Sequence, residues 1–379
     1  MDEKLKIHRR KVIRRILILM VSLAGLIMAI FLYFTYKQYS DYEVLETIER
    51  EDTAATHFET YGDGVLKYSN DGAFYQDLDH NMIWNQTYEM EEPTVKICSA
   101  YVAIGDIGGS TLYVMDETGM QGKIETTMPI DSFAVASQGT VAMLLRAESS
   151  YYLKLYDKAG QELASGQLHE KNSGFPLSMA LSWDAKKLAV AMMNLSSGKV
   201  GTTLQFYNFG SVGQSEQDNI VASYTYEDML IPEMTYTSSD LLVAFGDNQI
   251  LTFSGAQKPV QEGSISLSHE VKSVFYNDNY FGFSYNNEDE QNTRQLEVYD
   301  KHCEQVLSES FQMDYEEIEL LSNNEICIRS EYACMLYTLF GVQKFSHEFD
   351  VPIYQIIPQY AGIYYTFIEE GKTEQVRLM

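Results

Sequence analysis

One turn recurs along the whole chain. An aliphatic or aromatic strand runs into a short polar residue, and a glycine or its substitute follows within a few positions. The polar mark falls at Asp79, Asp116, Asp157, Asn208, Ser254, Asp300 and Thr338, at intervals of 37, 41, 51, 46, 46 and 38 residues. Short strands repeating every roughly 40–50 residues cannot bury their apolar faces singly and must pack unit against unit, as the blades of a propeller do. The composition agrees, because 28 Tyr and 18 Phe favour strands over helices. The expected fold is therefore all-β, a β-propeller.

Blade-like units run over about 57–92, 93–128, 129–172, 173–228, 229–269, 270–314 and 315–352. A last unit, 353–379, has room for three strands and lacks a fourth. A ring must close to remove exposed strand edges. The apolar stretch Tyr42–Ile48 is the natural donor of the missing outer strand, which gives eight blades. Seven blades, with Tyr42–Ile48 as a linker, is the alternative. The fourth unit is the longest, with extra residues at Asn194–Gly201 and Ser211–Asn219, and insertions in such repeats collect on one face. A second polar loop, Asn286–Asn292, reads as solvated.

Charge divides the chain. The first 36 residues hold seven Lys and Arg against Asp2 and Glu3, leaving the remainder with 20 basic and 52 acidic side chains. A body this acidic repels phosphate backbones, so no nucleic-acid partner is expected. Between head and body lies Ile16–Tyr36, 21 residues without charge or proline. At about 1.5 Å per residue this reaches roughly 30 Å, the thickness of bilayer hydrocarbon. The expectation is an uncleaved signal anchor whose partner is the lipid bilayer through Ile16 to Tyr36. By the positive-inside rule residues 1–15 are then cytoplasmic, and an acidic stalk (37–56) and the propeller (57–379) lie outside a cell membrane crossed once. A cleaved signal peptide is the alternative, although no small-x-small site follows the apolar run. Gly25 and Ala29 read as an ordinary lipid-facing pair.

Chemistry is sparse. Cys327 and Cys334 would lie opposite each other if Arg329–Tyr332 forms a hairpin turn, which makes them a candidate disulfide, with two buried thiols as the alternative. Cys98 and Cys303 have no evident partner, and Cys303 occupies a turn position where other units carry Gly. Asp77, Asp79 and Asn81 place oxygens at alternate positions, as calcium loops do, but a polar turn explains them equally well. No metalloprotease, nucleophile-elbow or phosphate-loop motif is present, the histidines have no ligand spacing, and no cofactor is implied.

The stretch Met179-Ala180-Leu181-Ser182-Trp183-Asp184-Ala185-Lys186-Lys187-Leu188-Ala189-Val190 resembles the inner hairpin of WD-like repeats, a small-residue strand, then Ser-Pro-Asp-Gly, then a basic-aliphatic strand. Trp183 and Ala185 stand where the Pro and Gly would be, and Ser182 and Asp184 keep the turn's capping chemistry. With Leu66–Gly72, Ile83–Met90 and Phe206–Gln214, the chain resembles a family of membrane-anchored, WD-like (quinoprotein-like) propellers from Gram-positive bacteria. That resemblance implies a fold and a topology, and no activity. The expected function is a non-catalytic scaffold that binds a protein or envelope ligand, with an envelope or membrane protein as partner. The alternative is a cell-envelope enzyme with its active site at the propeller's central channel. A sensor signalling through the helix has little room in so short a tail.

Overall fold

The computed structural model describes residues 15–26, 28–29, 32–33, 36–51, 56–78, 81–169, 174–196, 198–287 and 293–379. Among these residues thirty-two strands, β1 to β32 in chain order, form eight four-stranded antiparallel sheets arranged as an eight-bladed propeller. In seven blades the four strands follow one another in sequence. In the eighth, β30 (Ile353–Pro358), β31 (Tyr364–Glu369) and β32 (Lys372–Leu378) are completed by β1 (Tyr42–Glu49), in the order β1-β32-β31-β30. The ring closes where the missing strand was expected, with Tyr42 opposite Leu378 and Thr47 opposite Glu374.

The chain reaches that position by a strap across blade seven. The Tyr39 amide donates to Lys344 O at 2.8 Å, and its ring is buried with Phe345, Phe349 and Phe367. Tyr42 then packs edge-on to Phe367 at 5.1 Å.

Second and third strands are apolar on both faces because each blade is sandwiched between two others. Val102, Ala103 and Ile104 in β7 (Tyr101–Asp106) are all inaccessible to solvent, as are Leu188 to Met192 in β15 (Lys187–Ser196). Each seam between neighbouring blades encloses one apolar cluster. The seam between blades seven and eight holds 13 buried side chains, whereas the seam between blades eight and one holds Phe58, Val65, Ile357 and Ile368 alone. At about 1.5–3 kcal/mol per fully buried side chain, this last seam gains roughly a third as much. Polar contacts reinforce it. Arg50, just past β1, donates to Lys372 O at 2.9 Å and Glu369 O at 2.7 Å, and its guanidinium lies 4.8 Å from the Phe58 ring centre.

The recurring polar mark is the cap of the turn between third and fourth strands. Asp116, Asp157, Asn208 and Asp300 each accept the amide two residues on, at 2.7–3.0 Å. In blade one this role belongs to Asp77, which accepts Asn81 N at 2.8 Å; the mark expected at Asp79 is two residues late, and Asp79 lies outside the described residues. Cys303 does take a glycine's position, at φ 62 against 88 for Gly160 and 75 for Gly341.

Three further expectations are corrected. The single-pass membrane placement expected of Ile16–Tyr36 does not stand: among the described residues no helix is long and apolar enough to cross a membrane. The two insertions of blade four do not share a face. They flank β16 (Lys199–Asn208), so they project from opposite ends of the propeller. The hairpin register around the cysteines also differs, with Arg329 opposite Cys334 and Leu336 opposite Cys327. The two cysteines are diagonal neighbours, and all four thiols of the chain are free. Part of the loop Asn286–Asn292 lies outside the described residues.

Candidate functional site

The turn that suggested a WD-like repeat is a structural joint. Ser182 Oγ donates to Asp184 Oδ1 at 2.8 Å and accepts Lys187 N at 2.9 Å, while Asp184 Oδ1 also accepts Lys186 N at 3.2 Å. Burial opposes ionisation of Asp184, yet the hydrogen bonds from Ser182 and Lys186 hold its carboxyl below the usual range. Ala185 takes φ 53, the left-handed position that a glycine would favour. Trp183 ties three blades together: its Nε1 donates to Tyr236 O at 2.8 Å in blade five, and its carbonyl accepts Ser137 Oγ at 2.7 Å from blade three.

At the calcium candidate, Asn81 turns its amide nitrogen, not its oxygen, toward Asp77, with Nδ2 at 2.9 Å from Oδ2. Among the described residues no group of His, Cys, Asp or Glu is placed to hold a metal ion.

The first strands of the blades line the central channel. Cavities of about 340 and 280 Å³ share Asn277 and Asp278, and the first also takes in Cys98, Trp183 and Tyr276. First strands of three blades carry glutamates: Glu59 on β2 (His57–Tyr61), Glu233 on β18 (Glu233–Tyr236), and Glu317 and Glu319 on β26 (Glu317–Leu320), of which Glu319 lines the second cavity. Gln355 Nε2 donates to Glu319 Oε2 at 3.0 Å, and Arg329 pairs with Glu317 while donating to Ile353 O at 3.0 Å.

Burial, then the charge of Glu317, pushes the Glu59 carboxyl up to about 7 against the pull of Lys96 and Arg329. Burial, followed by Glu317 and Glu59, does the same to Glu319, also to about 7. Burial raises Glu233 too, opposed by the Tyr276 hydrogen bond and Lys96. Burial and then Asp278 lift the Cys98 thiol to about 11, so it stays protonated near neutrality. The channel can thus take up protons close to neutral pH. None of its glutamates stood out in the sequence, where each is a polar residue in an alternating strand.

A second feature lies outside the channel. In blade four β15 and β16 are ten residues long and paired without a break from Lys187/Asn208 to Ser196/Lys199. The second and third strands of every other blade have seven residues or fewer. The overhang carries Leu195, 73% exposed, opposite Val200, 40% exposed, with Phe175 exposed at its base. Lys199 and Asp228 pair at 2.6 Å beside it.

Residues 35–378 match the family of unknown function DUF5711. The chain belongs to that family. No curated protein matches it in sequence. Its fold is similar to that of BamB from Moraxella catarrhalis, at 10% identity and a TM-score of 0.53 over 89% of this chain and 98% of that one. It is also similar to a eukaryotic initiation factor, at 8% identity and a TM-score of 0.53 over 87% of this chain and 83% of the other. The Pan2 WD40 domain of Neurospora crassa aligns at 9% identity and a TM-score of 0.43, over 76% and 88% of the two chains. The first two likenesses support the propeller fold, and identities this low speak to fold alone.

Proposed function

We propose that this protein is a non-catalytic scaffold that binds a protein partner through the overhanging hairpin of blade four. The supporting observation is the exposed apolar tip, Leu195 and Val200, held beyond its blade on a fully paired ladder. A surface loop that only connects two strands would be polar and short, whereas large apolar side chains on a rigid projection mark a contact surface. The test compares wild type with Leu195→Ser/Val200→Ser and with Phe340→Ser, which alters an exposed turn on the opposite face. Crosslinking in native extract should capture a partner with wild type and Phe340→Ser and lose it with the tip variant. Equal capture by all three proteins would refute the hairpin's role, and capture by none would refute the scaffold.

A second reading, an enzyme acting at the channel, is favoured by one observation, the two carboxylates poised near neutrality. General acid–base chemistry uses such groups. Glu59→Gln and Glu319→Gln would abolish turnover under that reading and leave partner capture untouched under the first.

A further inference from the structure

The blade that closes the ring buries two carboxyl groups side by side. Glu369 ends β31 and Glu374 lies on β32, on the same face of the sheet, and they are 2% and 5% exposed. One ammonium serves both: Lys372 Nζ lies 3.1 Å from Glu369 Oε2 and 2.7 Å from Glu374 Oε1. The other two oxygens, Glu369 Oε1 and Glu374 Oε2, are buried and have no hydrogen-bond donor among the described residues. The two carboxyl groups thus flank a single ammonium on adjacent strands, with one oxygen of each left unbonded.

Ionised carboxylates only accept, so two of them cannot bond to each other. One proton between them turns a buried repulsion into a charge-assisted O–H···O bond and leaves a single negative charge for Lys372 to balance. We propose that Glu369 and Glu374 share a proton, and that this carboxyl–carboxylate pair is a pH-sensitive lock holding the closing strand β1 in blade eight.

Thr47 of β1 sits opposite Glu374 and its hydroxyl lies 3.4 Å from Glu374 Oε1, so the strand reads the state of the pair directly. The other charged and titratable groups around it are Lys372 on the same hairpin, Glu49, Tyr42 and Asp41 on or beside β1, and Arg50 beyond its end. On blade seven His347 packs against Tyr42 at 4.9 Å. Burial lifts Glu369 above the ordinary carboxyl range and the charge of Glu374 adds to this, while the hydrogen bond from Lys372 opposes it. A group raised in the folded state stabilises fully below its unfolded pKa, and that stabilisation is lost as pH rises through the folded value. The strand is otherwise lightly held, since six of its eight residues are exposed, so its opening is the local event most easily favoured.

Hydrogen exchange of the full-length protein, corrected for intrinsic rates, tests this between about pH 5 and about pH 9. Protection of amides in Tyr42–Glu49 should fall about tenfold or more relative to amides in Tyr101–Asp106. Glu369→Gln supplies a permanent donor to Glu374 and should keep β1 protected across the range. Glu374→Gln supplies the same bond from the other side and serves as the second variant. A flat wild-type profile, a fall shared equally by β7, or a fall undiminished in the glutamine variants would each overturn the proposal.

Discussion

Lys187, wholly buried at the start of β15, donates to Asp240 Oδ1 at 2.7 Å across the seam between blades four and five. The same ammonium also donates to Ala256 O at 3.1 Å. The pair is asymmetric, because the Asp240 side chain is 56% exposed.

That asymmetry makes the two partners unequal under mutation. Asp240→Ala leaves a buried ammonium with one carbonyl and should cost about 3 kcal/mol. Lys187→Met leaves a carboxylate that water can solvate and should cost no more than about 1 kcal/mol. Urea denaturation of the two variants gives the comparison; equal losses would show that the pair is solvated from both sides.

The channel glutamates set a pH dependence of global stability. Glu59 and Glu319 are both raised to about 7, so what they contribute is present below the unfolded range and lost as pH climbs through about 7. Wild-type urea midpoints should decline between about pH 5 and about pH 8, and Glu59→Gln/Glu319→Gln should flatten that decline. An unchanged slope in the double variant would remove these groups from the account.

Closure rests on β1 and Arg50. Deleting Tyr42–Ile48 bares the edge of β32 and the cluster around Phe345 and Phe367, and should lower the melting temperature of the entire propeller. Arg50→Ala removes two charge-assisted bonds to carbonyls and the contact with Phe58, for about 2–3 kcal/mol at the thinnest seam. Melting curves of both proteins superimposable on wild type would show that the ring does not need its latch.

Thiol chemistry follows burial. Cys334 is pushed up to about 12 by burial, Cys327 is raised by burial and then by Cys334, and Cys98 stands at about 11. Cys303, half-buried in its turn, is the thiol expected to react first with an aromatic disulfide reagent, the other three reacting only on unfolding. Two reactive thiols in the unfolded, unreduced chain, instead of four, would reveal a Cys327–Cys334 bridge.

Much of the architecture was legible because it is written locally. Polar caps such as Asp116, Asp157 and Asp300 recur with a period set by four short strands. Apolar runs such as Leu188–Met192 announce burial on both faces, and the apolar Tyr42–Ile48 matches a vacancy at the far end of the chain. Local pattern misled where one signal had two sources. The uncharged run Ile16–Tyr36 has the length of a span, yet among the described residues no helix is long and apolar enough to cross a membrane. At Cys327 and Cys334 spacing suggested opposition, whereas register depends on where the turn falls, and a shift of pairing moved each thiol opposite another residue.

The sites belong to tertiary structure. Glu59, Glu317 and Glu319 are, in sequence, the polar members of alternating strands, no different from residues that face solvent. Only ring closure turns that side of each first strand inward and gathers carboxylates hundreds of residues apart into one low-dielectric channel, where desolvation and mutual repulsion raise them together. Glu369 and Glu374 likewise become a pair only when strand and hairpin exclude water from both. The chain alone determined the repeat, the strands and the means of closure, which depend on near neighbours. Burial and charge proximity depend on distant segments meeting, so the fold alone decided which of its ordinary acidic residues became chemically distinct.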